Sequence, residues 1–166
     1  KFYKIMENIS KFIDSDNNST GKILFYSEFV GDSGADIFEA ILQVHGYSKY
    51  NYNDDISKSG KAKRYTFITG TEAPEEARAN KDVFNLRENN YGEYIQIMII
   101  SKSGAEGISL SCVRQVHIME PYWNYIRINQ VFGRAIRLLS HIGESEDDPL
   151  LPIDKRNVEQ YLYLTV

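Results

Sequence analysis

The segment Gln130-Val131-Phe132-Gly133-Arg134-Ala135-Ile136-Arg137 carries the strongest chemical signal in this chain. A glutamine and two arginines, spaced four and then three residues apart, fall on one face of a helix. There they form a cluster of forked donors suited to the oxygens of a phosphate chain. The other face carries Ile128, Val131, Ala135, Leu138 and Leu139 at helical spacing, an apolar stripe that would bury in a core and hold the guanidiniums outward. Gly133 sits inside this pattern at a cost of about 1 kcal/mol relative to alanine, which suggests that something must approach the backbone there. Two solvated arginines on an ordinary surface helix would show the same spacing, so the motif gains its meaning from the residues upstream.

The elements that must position these side chains are legible as alternating helices and strands. Phe2, Ile5, Met6, Ile9, Phe12 and Ile13 predict a first helix, ended by the polar run from Asp14 to Thr20. Lys22 to Ser27 reads as a short buried strand, and Ala35 to His45 as a second helix with Gly46 as its stop. Ser48 to Arg64 is polar, carries Lys58, Lys61, Lys63 and Arg64, and is expected to be an exposed, mobile loop. Its basic run reads as a solvated loop or as a nucleic-acid contact.

Tyr65 to Ile68 is a strand, and Thr71 to Asn85 a helix introduced by Pro74 with acids in its first turn. Tyr94 to Ser101 is almost continuously apolar, as a central parallel strand covered on both faces would be. Gln115 to Glu120 is another strand, Asn124 to Ser140 the motif helix, and Tyr161 to Val166 a last strand. This alternation predicts an α/β fold, a parallel sheet flanked by helices on both faces.

Composition agrees with one globular domain: 166 residues, 42% hydrophobic, with twelve tyrosines and eight phenylalanines to bury. The single cysteine, Cys112, excludes a disulfide framework and points to a reducing, intracellular compartment. No apolar run approaches the roughly eighteen residues of a membrane span. A net charge of −4 argues against a uniformly basic coat, though a local positive patch remains possible. No His/Cys cluster has metal-ligand spacing, so no metal site is expected within the chain. His45 and His141 are expected only to face the C-terminal dipoles of their helices. The chain opens on a helix and closes on a strand, as expected of a domain excised from a longer protein.

In parallel sheets the working groups collect on loops at the carboxyl ends of the strands. Three such loops stand out: Ser27-Glu28-Phe29, Thr69-Gly70-Thr71, and Ser101-Lys102-Ser103-Gly104 running on to Leu110. Each offers hydroxyls and backbone amides able to grip a sugar-phosphate chain without reading bases. Gly104 and Gly107 would let a phosphate or sugar come close to the main chain.

In this combination the chain resembles the second, RecA-like motor lobe of superfamily 2 helicases, most closely the Swi/Snf-type branch. Ile23 to Phe29 is similar to motif four. Phe67 to Thr71, followed by Glu75, Arg78, Phe84 and Asn85, resembles that branch's strand-Gly-Ser/Thr element and the helix after it. Ser101 to Leu110 is similar to motif five, and Gln130 to Arg137 matches motif six, Gln-x-x-Gly-Arg-x-x-Arg. The run from Gly104 to Leu110 and that from Val113 to Asn124 resemble helicases of large cytoplasmic DNA viruses, of the poxvirus phosphohydrolase and early transcription factor type. Ser109 departs from the asparagine usual in remodelling ATPases.

The resemblance implies a single lobe, residues 1–166, of a two-lobed ATP-dependent motor. Arg134 and Arg137 would act as arginine fingers on ATP, with Gln130 near the γ-phosphate or the attacking water. Gly107 and Ser109 would lie beside the nucleotide. Ser27, Gly70, Thr71, Ser101, Lys102 and Ser103 would line a path for the DNA or RNA backbone, although helix capping is an equal alternative for Ser27 and Thr71. ATP and Mg2+ would be held mainly by the first lobe, because this chain has no Gly-x-x-x-x-Gly-Lys-Ser/Thr loop and no acidic magnesium pair after a strand. The implied partners are that lobe, nucleic acid and a viral RNA polymerase, with no membrane. For a viral protein the implied place is the virion or a cytoplasmic viral factory. A degenerate lobe acting only as an interaction module is the alternative.

Overall fold

A computed structural model describes residues 1–16, 18–31, 34–53, 63–104, 107–121, 125–136, 140–142 and 149–164. Among the described residues, six strands form one sheet: β1 (Lys22–Tyr26), β2 (Ser48–Lys49), β3 (Arg64–Ile68), β4 (Ile97–Ile100), β5 (Val113–Ile118) and β6 (Glu159–Leu162). Their order is β2-β3-β4-β1-β5-β6, and every neighbouring pair is parallel. Parallel neighbours require crossovers, and four helices lie among them: α1 (Phe2–Ser10), α2 (Ala35–Val44), α3 (Pro74–Asn85) and α4 (Tyr125–Ala135).

The alternation of side chains along β1 and β4 divides the core in two. Ile23, Phe25, Ile97 and Ile99 pack beneath α1 and α2 with Ile5, Ile9, Phe38 and Leu42. Leu24, Tyr26, Met98 and Ile100 face the opposite layer with Phe84 of α3 and Ile128, Val131 and Ala135 of α4. Every residue of β1, β4 and β5 is buried. That explains why the central strands read as unbroken apolar runs.

Several expectations shift. Ser48–Lys49, placed in a loop by its polarity, pairs in parallel with Arg64 and Tyr65 of β3, and the following Tyr50 is buried. Lys58 and Lys61 lie outside the described residues. The first helix stops at Ser10, although Phe12 still reaches the core from the turn beyond. Strand β5 begins two residues before the expected Gln115, and β6 begins at Glu159 rather than Tyr161.

Lys22 is wholly buried: its ammonium donates to the Phe84 carbonyl at 2.6 Å and stands 4.6 Å from the centre of the Phe84 ring. Burial pulls its pKa down to about 8.

Candidate functional site

The residues singled out by sequence fall into two groups. The first is a rim at the carboxyl ends of β1, β3 and β4, where three carboxylates organise the loops. Glu72 curls back so that one oxygen accepts from the Thr69 and Gly70 amides, at 2.8 and 3.1 Å, and the other accepts from the Thr69 hydroxyl at 2.7 Å. Burial alone would raise the Glu72 carboxyl, but these donors together hold it below its ordinary value. Glu120 accepts from the Ser27 hydroxyl at 2.9 Å and the Glu28 amide at 3.1 Å. Here burial wins, and the carboxyl is pushed up. Glu28 accepts from the Tyr26 hydroxyl at 2.9 Å and pairs with the exposed Lys102 ammonium at 3.8 Å.

The β3 and β4 loops are clipped together by hydroxyls. Ser101 and Ser103 both donate to the Thr69 carbonyl, at 2.7 and 2.5 Å. Ser27 and Ser101 are therefore buried beneath the rim, each holding a loop in place, whereas Gly70, Thr71, Lys102 and Ser103 are exposed along it. Gly70 has φ +86, and a Cβ there would meet the Ser103 hydroxyl at 2.7 Å.

Gly104 makes room for the protein's own main chain. A Cβ at this position would lie 1.6 Å from the Ile68 carbonyl oxygen, so glycine lets the β4 loop pass directly over the end of β3. Gly107, with φ +71, instead faces open space.

The second group lies where the segment after β4 meets α4. Ile128, Val131 and Ala135 are buried, as the stripe required, while Leu138 and Leu139 lie outside the described residues. On the other face Gln130 is exposed and Arg134 half-buried. Arg137 lies outside the described residues. A Cβ at Gly133 would meet nothing within 4 Å.

Gly107 and Ser109 are exposed on a segment tied to this helix and to α3. The Leu110 amide donates to the Arg134 carbonyl at 3.2 Å. Asn85, at the end of α3, donates to the Ser109 carbonyl at 2.9 Å and accepts from the Ser111 amide at the same distance. Asn85 was noticed in the sequence only as part of a resemblance, and its bridging role has no local signature.

The segment 101–110 thus begins in the first group and ends in the second. A groove of about 460 Å3 between α1 and α2, lined by Phe2, Tyr3, Met6 and Ile41 among others, involves none of these residues.

The histidines depart from expectation at one position. His45 meets the Ile41 carbonyl at 2.8 Å at the end of α2. His141 is buried, and its Nε2–H donates to the Val113 carbonyl at 2.8 Å, pinning the chain beyond α4 to the start of β5. Burial lowers its pKa, so the ring is a neutral clamp rather than a cation at a helix end. Among the described residues, no group of three or more His, Cys, Asp or Glu side chains could hold a metal ion.

The family model described as "Helicase conserved C-terminal domain" matches residues 4–138. The chain is 35% identical, over its full length, to "Putative ATP-dependent RNA helicase R563" of Acanthamoeba polyphaga mimivirus, covering 26% of that protein. It is 32% identical to "Termination factor NPH-I homolog" of African swine fever virus, over 89% of the chain and 24% of the relative. It is 31% identical to "Nucleoside triphosphatase I" of Melanoplus sanguinipes entomopoxvirus, over 98% of the chain and 22% of the relative. The chain thus spans about a quarter of the length of these relatives.

Among solved structures it superposes on the C-terminal part of the Fun30 ATPase domain with a TM-score of 0.61 at 21% identity, covering 97% of this chain and 40% of that one. On the DEAD-box splicing factor Prp28 of yeast the TM-score is 0.53 at 14% identity, over 97% of this chain and 25% of that one. At these identities the likeness speaks to the fold alone: a single RecA-like lobe.

Proposed function

The chain belongs to the helicase conserved C-terminal domain family, and from that premise we propose that it is the second motor lobe of a two-lobed, ATP-dependent nucleic-acid helicase or translocase. ATP and Mg2+ are held mainly by the first lobe. Arg134 and Arg137 of this lobe reach the γ-phosphate as charge develops, with Gln130 beside them and Gly107 and Ser109 flanking the nucleotide. Gly70, Thr71, Lys102 and Ser103 meet the DNA or RNA backbone, and Ser27 and Ser101 act through the loops they hold. The parent protein works in viral transcription, beside a viral RNA polymerase, a reading supported by the name "Termination factor NPH-I homolog" of one viral relative.

The observation that carries this reading is the mounting of α4. Three buried side chains anchor one face, the Arg134 carbonyl is held by Leu110, and the Gln130–Arg134 face is left accessible. A guanidinium that must meet a transferring phosphoryl group needs such a rigid mount, because catalysis of this kind is mainly positioning and electrostatics.

The test is Arg134→Ala and Arg137→Ala in the full-length protein. Each is expected to lower nucleic-acid-stimulated ATP hydrolysis by roughly 10³-fold or more, about 4 kcal/mol of transition-state stabilisation. Melting should stay near wild type, since an exposed ion pair contributes only about 0–1 kcal/mol. Near-wild-type turnover in both variants would remove the finger assignment. The isolated 166-residue lobe should show no ATPase.

A further inference from the structure

The Glu72 carboxylate occupies the kind of site that the rim offers to nucleic acid. Two consecutive backbone amides and one hydroxyl converge on it from 2.7 to 3.1 Å, a donor set suited to any oxyanion. The turn that aims these amides depends on the left-handed Gly70, and it lies on the exposed crest with Thr71, Lys102 and Ser103.

Glu72 precedes α3, which begins at Pro74, so no helix holds its side chain in place. Among the described residues, no lysine or arginine forms an ion pair with it. Among the described residues, these dipoles are what balances its charge. The neighbouring cation repeats the pattern: Lys102 already faces the Glu28 carboxylate at 3.8 Å. The Thr69–Gly70 donors and the Lys102 ammonium therefore each face an internal anion.

We propose that Glu72 is a resident stand-in for a nucleic-acid phosphate: its carboxylate fills the Thr69 and Gly70 donors in the free lobe and leaves them when a phosphodiester arrives. The inference rests on the reading of this rim as a backbone path. Binding at this point is then an exchange of one anion for another. The exchange lowers affinity and gives the departing phosphate a ready replacement, which suits a surface that must let go at every step. Glu72 is a positioning residue here, since it acts on the ligand only by yielding its donors.

The test uses the full-length protein with short fluorescein-labelled single-stranded DNA and RNA. Glu72→Gln keeps the side-chain shape but weakens the hold on the amides. It is expected to bind both about three- to tenfold tighter than wild type, the scale of the difference between a charge-assisted and a neutral hydrogen bond. Asp82→Asn makes the same change in net charge further along α3, on an exposed side chain. It should shift affinity by less than about twofold, as a screened surface charge does. Binding by Glu72→Gln that is no tighter than that of Asp82→Asn overturns the proposal. Failure of the wild-type protein to bind either oligonucleotide would instead sink the backbone path itself.

Should Glu72→Gln fold poorly, a crystal structure of the wild-type complex decides the matter. A phosphate oxygen on the Thr69 and Gly70 amides, with Glu72 turned away, is the expected result. Glu72 still seated on them overturns it.

Discussion

Polar side chains satisfy one another in two places in this lobe, by opposite means. At the rim, carboxylates from Glu28, Glu72 and Glu120 take up hydroxyls, amides and an ammonium near solvent. Where β5, β6 and α1 meet, the network is mostly neutral and largely sealed. His117 Nε2–H donates to the Gln115 side-chain oxygen at 3.1 Å, and its Nδ1 accepts from the Tyr163 hydroxyl at 2.7 Å. That hydroxyl in turn accepts from Asn8 at 3.1 Å. The His117 ring also stacks on Tyr161 and Tyr163, and burial drives its pKa down to about 3.

A half-buried carboxylate at the rim, with water at hand, can exchange its partners at little cost. A buried neutral donor cannot, because losing its partner leaves it dry. The rim is therefore built to trade contacts, and the β5–β6 layer to keep them.

Arg134→Ala marks the upper end of the expected effects and bears on turnover alone. Next in size is His117→Leu, which strands the Tyr163 hydroxyl and the Gln115 oxygen. It should cost about 2–3 kcal/mol in urea unfolding while leaving ATP turnover per folded molecule unchanged. A loss of turnover with full stability would reverse the roles assigned to the two regions.

Lys22→Met sharpens the comparison by removing a buried charge that belongs to neither region. The Phe84 carbonyl keeps the Asn89 side chain as a donor at 3.0 Å, so the variant should be about 1–2 kcal/mol more stable at neutral pH. Because the folded pKa of about 8 lies below the ordinary 10.5, the unfolded chain binds more protons between these values. The wild type therefore gains stability as pH rises through that window. Melting curves of the two proteins should converge from pH 8 upward, and a constant gap would contradict the buried-ammonium account.

Smallest is Gly133→Ala. With open space at its Cβ position, it should stabilise the lobe by up to about 1 kcal/mol. It should also slow ATP turnover in the full-length protein. Unchanged turnover would remove the close approach inferred at this backbone.

The central strands were legible because burial on both faces leaves a run such as Ile97–Ile100 with no polar interruption. The motif helix was legible because Ile128, Val131 and Ala135 repeat at the helical period. Strand β2 was not, since its two residues are polar, exposed and held by backbone pairing alone. Strand β6 was legible, but its start was not: Glu159 and Gln160 are polar, and Gln115 donates to the Glu159 carboxylate at 3.0 Å.

At the site, residue types pointed to three loops but could not show which hydroxyls face outward. Ser101 and Ser103 differ by two positions and share an acceptor, yet only Ser103 is exposed. Nor could sequence show that Glu72 folds back onto the amides before it. That depends on the φ of Gly70, which no periodicity encodes.

The bond from the Leu110 amide to the Arg134 carbonyl joins main chain to main chain. Ordinary side-chain replacement at either residue leaves both atoms in place, and only proline at 110 would delete the donor. The linkage between the segment that carries Gly107 and Ser109 and the arginine helix is thus insulated from side-chain substitution. Side-chain replacements around it leave this mechanical connection in place.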